Sequence, residues 1–586
     1  MNHSTTPSFG AIATGLLMAV VLAGCNPGTP DQNQQRQINV TGAAAPLSSS
    51  DYRALTPEQQ YDVANKLLSS FYRGVPVDEF FDLSYGMSEL RLRQPDFLAT
   101  TRQALNRPLL PEVRASIRAE IGLLPDNTPV NQSNVLYEFT TNTNDNSTVL
   151  HRQVPLAQII EYPISRDLYV EWMAYFLTNT IMFSPALEME STDAKDAAFV
   201  YGFLRNSIRN GTSIQDTVRQ YLGTQSRWRV SRSAENHALE AYELFLGLFE
   251  TEEDSRRGGI ACSEWRLTPE SAQYQLVRSG EPNTQYQKVL DNYYILDCDD
   301  LHSLIVSHPL FIPRVTEVIV NYFLAEESAQ VRSAFVASIA AAQPQTFEDI
   351  FSAILFSRHY LLHSERPLWF EENFFGTLHR LRWTVARNQG WIGRPVLRHL
   401  QEHQWSALFQ RNMGSAAMEY KIGRTPSVPM DAMSFASQAK AMREQVFVNN
   451  RNGWQGGTYS SNTTGFRGLL LEAVPRTDDP TLWQTQRRPD VEALTAAEYL
   501  DYLFLTTLRR RATDAERHGL LSVMRTDDGT PGMDLIREID GAVSVRPNNN
   551  YYYTEVAQIV FEYVARLPEF YYQRRTFAVA GTGGAQ

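Results

Sequence analysis

Thr56-Pro57-Glu58-Gln59-Gln60-Tyr61-Asp62-Val63-Ala64-Asn65-Lys66-Leu67-Leu68-Ser69-Ser70-Phe71 begins with a helix start and continues with a helix period. Thr56 is a favoured N-cap, Pro57 takes the first helical position where its missing N–H is no loss, and Gln59 follows at the third. Tyr61, Ala64, Leu67, Leu68 and Phe71 then recur at helical spacing, which gathers them on one face.

The same signals return along the chain. Helices are predicted over Arg166 to Met182, over Asp193 to Asn210 with a stop at Gly211, over Ser213 to Leu222 with a stop at Gly223, and over Ala234 to Phe249. Another runs from Phe347 to His363 behind Thr346. Two capping boxes, Thr495-Ala496-Ala497-Glu498 and Thr513-Asp514-Ala515-Glu516, open consecutive helices, and Glu555 to Arg566 adds one more. Strand-like runs are few. Val135, Tyr137 and Phe139 alternate before a polar Asn-rich turn and further β-branched residues, so a hairpin is expected between Val135 and Leu150. The predicted fold is therefore mainly α: a multi-helix globular body with a minor β-hairpin and one disulfide-closed loop.

At 586 residues, 43% hydrophobic and 20% charged, the chain is long enough for roughly two to four domains with substantial cores. A net charge of -12 and a pI near 5.5 argue against a nucleic-acid partner. We divide the chain into a signal peptide (1–24), a flexible tether (25–50) poor in large apolar residues, an N-terminal helical domain (51–250), and a central helical domain with the disulfide loop (251–445). A Gly- and aromatic-rich loop (446–490), a C-terminal helical region (491–575) and a tail (576–586) follow.

Location is carried by the first segment. An apolar run from Ala11 to Val21 spans about half of the ~20 residues that cross a bilayer as a helix, which fits the core of a cleaved signal. Leu22-Ala23-Gly24-Cys25 closes it, with small residues before the cysteine. This resembles the lipobox of bacterial lipoproteins. The resemblance implies that Cys25 becomes the acylated N-terminus, and two or more chains hold a membrane stably where one does not. Asn26 rather than Asp follows, which under the sorting pattern of enteric lipoproteins implies the outer membrane, on its periplasmic side or at the cell surface. The leader Met1 to Phe9 has no Lys or Arg, leaving the terminal amine as the main orienting charge. Cys262 and Cys298 are an even pair in a chain expected to be exported, so a bridge between them is expected, stabilising the fold by roughly 3 to 4 kcal/mol.

Tyr201-Gly202-Phe203-Leu204-Arg205-Asn206-Ser207-Ile208-Arg209-Asn210-Gly211, Thr217 to Leu222 and Phe245-Leu246-Gly247 are similar to the paired domains of unknown function named after planctomycete cytochromes. Ile354 to Tyr360, Leu503 to Glu516 and Arg566 to Phe570 extend the likeness. It implies architecture, and an exported partner resembling sulfatases, more than chemistry. In that family a Cys-x-x-Cys-His-like segment commonly follows the Phe-Leu-Gly element, whereas here Cys262 stands alone in Ala261-Cys262-Ser263-Glu264-Trp265. Covalent haem needs two thiols and an adjacent His, so no cytochrome role and no resident cofactor are expected.

His399-Leu400-Gln401-Glu402-His403 has the His-x-x-Glu-His order of inverted zinc peptidases, with Glu472 as a candidate third ligand. A helical projection puts Val396, Leu397, Leu400 and Ala407 on the apolar face, His403 at its margin and Glu402 toward solvent, where a catalytic base does not belong. His359 and His363 share the i, i+4 spacing, and joining them to His379 would require three helices to converge. The absence of any Glu-x-x-His removes the usual di-iron arrangement. Met413, Met418, Met430 and Met433 read as core packing rather than copper ligands, and Lys421 with Arg424 as an ion-pair loop rather than an anion site. Between Asn449 and Trp483, Gly453, Gly456, Gly457 and Gly465 punctuate a segment bearing Trp454, Tyr459, Phe466 and Trp483, whose rings suit stacking on sugars or gripping a protein. The sequence thus supports a membrane-tethered exported lipoprotein, a scaffold or binding protein for an envelope protein or polysaccharide. The alternative is a metal-dependent hydrolase using His399, Glu402 and His403.

Overall fold

Every side chain from Gln60 to Ser70 of the helix Pro57–Ser70 (α1) is buried, polar ones included. A computed structural model describes residues 38–120, 158–182, 194–382, 439, 471–475, 483–525, 534–546 and 550–576, save a few positions within these stretches. It is mainly helical with small two-stranded sheets. The capping box of α1 is made: Thr56 Oγ1 accepts from Gln59 N at 3.2 Å, and Gln59 Oε1 accepts from Thr56 N at 3.0 Å. Its apolar face enters the core as its spacing requires.

The opposite face does not meet water. Asp62 pairs with Arg509 Nε at 3.3 Å and Arg574 Nε at 3.5 Å, and accepts from Thr576 Oγ1 at 3.0 Å. Lys66 Nζ donates to the carbonyls of Ser364 and Arg574, and burial pulls its pKa down to about 7. Ser69 Oγ accepts from Gln573 Nε2 at 3.0 Å, and Ser70 meets Tyr360 Oη at 2.7 Å. The C-terminal strand Tyr572–Gln573 that brings these partners pairs with Arg366–Pro367 in the middle of the chain.

Late helices return to α1, and the helix Phe370–Arg380 packs directly on it. Arg166–Thr178 (α2) is buried from Asp167 to its end, with Trp172 and Phe176 against Phe323 and Phe351. Ala194–Arg209 (α3), Ile214–Leu222 (α4), Gln225–Ser231 (α5), Ala234–Leu246 (α6) and Glu252–Ala261 (α7) follow. Gly247 ends α6 with a left-handed φ of 71°. Two hairpins come next, Trp265–Glu270 (β1) with Gln273–Arg278 (β2), and Gln287–Val289 (β3) with Tyr293–Ile295 (β4). Then come Cys298–Ser307 (α8), Phe311–Phe323 (α9), Ala329–Ala341 (α10), Phe347–Leu355 (α11), Arg358–Leu362 (α12) and Phe370–Arg380 (α13). A hairpin of Leu471–Pro475 (β5) and Trp483–Arg487 (β6) precedes Ala496–Leu508 (α14) and Asp514–Met524 (α15), both opened by the expected capping boxes. Ile536–Ile539 (β7) pairs with Ala542–Val545 (β8) before Asn550–Val564 (α16). Among the described residues no single helix is long and apolar enough to cross a membrane; α8 and α9 reach that length only together and bend by 66° where they join.

Several expectations are revised. The helix expected from Phe347 to His363 is two helices, because Ser357 caps the second by accepting from Tyr360 N at 3.1 Å. The chain entering the body occupies that break: Leu47 N donates to Phe356 O and Arg358 N to Ala45 O, each at 2.9 Å. Residues 38–50 therefore do not belong to the tether read over 25–50, since Val40, Ala44 and Leu47 are buried. Hairpins also stand where no strand is expected, at 265–278, 287–295 and 536–545, and within the presumed loop 446–490 at 471–487. The hairpin expected between Val135 and Leu150 lies outside the described residues.

Asp62→Ala should cost about 3 kcal/mol in urea unfolding, because it strands buried Arg509. The low end of the range applies, since Arg509 keeps its bond to Tyr572 O and Arg574 is partly exposed. A midpoint shift below a third of that would show that the polar face is not held by this carboxylate.

Candidate functional site

Cys262 and Cys298 are bonded, with their Cα atoms 4.4 Å apart. Cys262 caps the C-terminus of α7, and Cys298 is the first residue of α8, whose N-cap Asp297 accepts from Asp300 N at 2.8 Å. His302 lies four residues beyond Cys298, one turn along the same face, and its Nε2 is 3.6 Å from Cys298 Sγ. His237 comes from α6, started by the Ser233 cap, and its Nε2 is 2.9 Å from His302 Nε2. Gly258 lets α7 approach α6 this closely: a Cβ there would stand 2.6 Å from Ala238 Cβ.

Two tryptophans wall the cluster. Trp228 of α5 stacks on His237 with ring centres 4.4 Å apart and on Trp265 at 5.4 Å, while Trp265 meets His302 edge-on at 5.8 Å. Burial holds both imidazoles neutral, His302 down to about 3 and His237 well below the ordinary range, with Arg227 adding to the effect on each. Arg227 is itself buried and paired with Glu240, and Arg278 lies over the Trp265 ring. Two neutral imidazoles facing each other share one proton-mediated bond, donated by one Nε2–H to the other Nε2. His237 Nδ1 is buried without a hydrogen-bond partner. Among the described residues, His237, Cys298 and His302 are the one group of His, Cys, Asp or Glu able to converge on a metal ion.

The β3–β4 hairpin lies at the surface against α7 and α8. Lys288 faces Tyr294 across the ribbon, and alternation puts Tyr286 on the same side, with Val289 and Ile295 on the other. Val289 and Ile295 are buried, whereas Tyr286 and Tyr294 are 67% and 63% exposed. The turn is held from below: Leu290 N donates to Asp254 Oδ1 at 3.0 Å, and Arg257 donates to Lys288 O at 2.7 Å. Leu290 and Asp291 both take left-handed φ, 47° and 63°. Tyr293 packs on His308 at 5.3 Å, and His308 lines an open cleft of about 630 Å³ with Asp216, Arg219, Ser303 and Ile312.

Of the residues singled out in the sequence, only the cystine pair falls in this region. Cys25, His399, Glu402, His403, Trp454, Tyr459 and Phe466 lie outside the described residues. Trp483 begins β6 opposite Pro475, and Glu472 lies in β5 opposite Gln486. His359 and His363 are neighbours with rings 5.9 Å apart, and His359 faces Glu327 at 3.3 Å; His379 instead contacts Arg73, so the three histidines form no common cluster. His237 and His302 escaped the sequence reading. The Cys298-x-x-x-His302 spacing was their available signal. Comparison with protein families, curated proteins and solved structures finds no match for the chain.

Replacing both Cys262 and Cys298 by Ser opens a loop of sequence separation 36. On the chain-entropy account the variant should lose about 4 kcal/mol in urea unfolding under non-reducing conditions. An unchanged midpoint would mean that the loop is already ordered without its bridge.

Proposed function

We propose that the chain is an exported lipoprotein of the bacterial outer membrane, tethered through acylated Cys25, whose helical body binds an envelope polysaccharide or protein. The observation that carries the binding half is the outer face of the β3–β4 hairpin: two tyrosines flank a lysine and all three are exposed, although the opposite face of the same ribbon is buried. Exposed rings add nothing to the core. Held on a ribbon bolted to α7 and rooted at Cys298, they are pre-organised for stacking, which lowers the ordering cost of association. The adjoining cleft supplies hydroxyl, carboxylate, guanidinium and imidazole groups that hydrogen-bond sugars or a peptide backbone. Trp454, Tyr459, Phe466 and Trp483 are proposed as further ligand-binding rings on the strength of the Gly-punctuated sequence that carries them. The tether half rests on Leu22-Ala23-Gly24-Cys25 and is supported by a cystine in the body, a bond that persists in exported compartments.

Cys25→Ser should accumulate as an uncleaved precursor without acyl chains, detected by mass spectrometry of the membrane fraction. Normal processing of this variant would sink the tether.

Tyr286→Ala combined with Tyr294→Ala should weaken retention on isolated envelope polysaccharide or a captured partner by at least tenfold, about 1.4 kcal/mol, with the thermal midpoint unmoved. Undiminished retention would remove the hairpin from the contact surface.

A further inference from the structure

Two buried histidines beside a buried cystine are poorly explained as packing. Desolvating a pair of imidazoles is offset by one hydrogen bond between them, and His237 Nδ1 is left unpartnered. A leucine pair would fill the same space without that cost. What the cluster does share is three donor atoms within 4.8 Å of one another, His237 Nε2 of α6 with His302 Nε2 and Cys298 Sγ of α8, and a second sulfur, Cys262 Sγ at the end of α7, bonded to the third of them.

We propose that the dithiol form of this cluster binds one Zn2+ ion through Cys262 Sγ, Cys298 Sγ, His237 Nε2 and His302 Nε2, so that metal and cystine are alternative occupants of one site. Tetrahedral zinc with bonds of about 2.3 Å to sulfur and about 2.0 to 2.1 Å to nitrogen sets ligand separations of roughly 3.3 Å between nitrogens and 3.6 Å between sulfur and nitrogen. The present separations are 2.9 Å and 3.6 Å. The sulfurs must move apart to roughly 3.8 Å and Cys262 Sγ must turn toward the two imidazoles, a side-chain rotation once the bond between them is cleaved. The exchange balances. A dithiol attacks the cystine and departs as its own disulfide, giving two thiols; Zn2+ then displaces one proton from each to solvent. Two thiolates and one divalent ion sum to zero charge, which suits a buried site where Arg227 already has its counterion in Glu240. The tryptophan walls exclude water and fix both rings.

The test uses the full-length chain, reduced with a water-soluble phosphine that carries out the same two-electron reduction and takes its oxygen from water. After equilibration with buffered Zn2+ and desalting, the reduced chain should retain one zinc per molecule and the oxidised chain none at this site. Co2+ in its place should give the visible absorption of a tetrahedral ion with thiolate charge transfer. His302→Gln and His237→Gln should each weaken zinc binding at least tenfold, and the double Cys→Ser variant should abolish it. Zinc uptake by the reduced chain no greater than by the double Ser variant would overturn the proposal. So would undiminished binding in both His variants, or loss of helical circular dichroism on reduction that added zinc does not reverse.

Discussion

The burial of the polar face of α1 is the constraint from which the architecture follows. An ordinary amphipathic helix leaves Asp62, Asn65 and Lys66 in water; here each is covered, and a buried charge without a partner is costly. The partners come from far along the chain, at 364–366, 509 and 573–576, so the polar face of α1 is satisfied only where the C-terminal strand lies beside Arg366–Pro367. Other buried pairs repeat the device. Arg366 meets Glu372 through two bonds of 2.7 Å with both side chains sealed, and Asp78 receives both Arg382 and Arg488. Such pairs add little net stability over apolar side chains of equal volume, but they penalise every arrangement that leaves one partner behind. They make the N-terminal, middle and C-terminal thirds of the core mutually dependent.

The cystine region obeys a different logic. Its anchors are local: a 36-residue separation closed by one bond, two hairpins, and caps at Ser233 and Asp297. Short strands of three residues cannot hold themselves in water, so β3 and β4 persist because α7 supplies hydrogen bonds to their turn and Val289 with Ile295 enter the core. The strained turn at Leu290 and Asp291 is tolerated for the same reason.

How much of this was legible in the sequence follows from which forces are local. Capping boxes at Thr56, Thr495 and Thr513 and the glycine stop at Gly223 are set by neighbouring residues, and the helices they bound stand where the sequence puts them, whereas the helix expected from Ala234 to Phe249 ends at Leu246 because Gly247 turns left-handed. The cysteine pair was legible because only two thiols remain in the body. What could not be read was anything decided at long range. The break at Ser357 depends on Ala45 and Leu47 arriving from the N-terminal side, and the inward turn of Asp62 and Lys66 depends on residues about five hundred positions away. The hairpins escaped for a related reason: Gln287–Val289 and Tyr293–Ile295 carry too few residues to show a period, and a turn through Leu290 lacks the usual glycine. His237 and His302 become partners only when α6 and α8 are brought together, although Cys298 and His302 already shared one turn of helix.

The β3–β4 hairpin has one face in the core and one in solvent. Its inner face rests on α7 and on α8, which carries His302, while its outer face carries Tyr286, Lys288 and Tyr294 into solvent. Rings on a flexible loop lose conformational freedom on binding, and that loss is subtracted from affinity; rings on a ribbon fixed from beneath have already lost it during folding. The chemistry at the root therefore sets how rigidly the surface is displayed. The cystine joins the end of α7 to the start of α8, the two helices on which β3 and β4 lie, so the ribbon's supports are covalently fixed to each other.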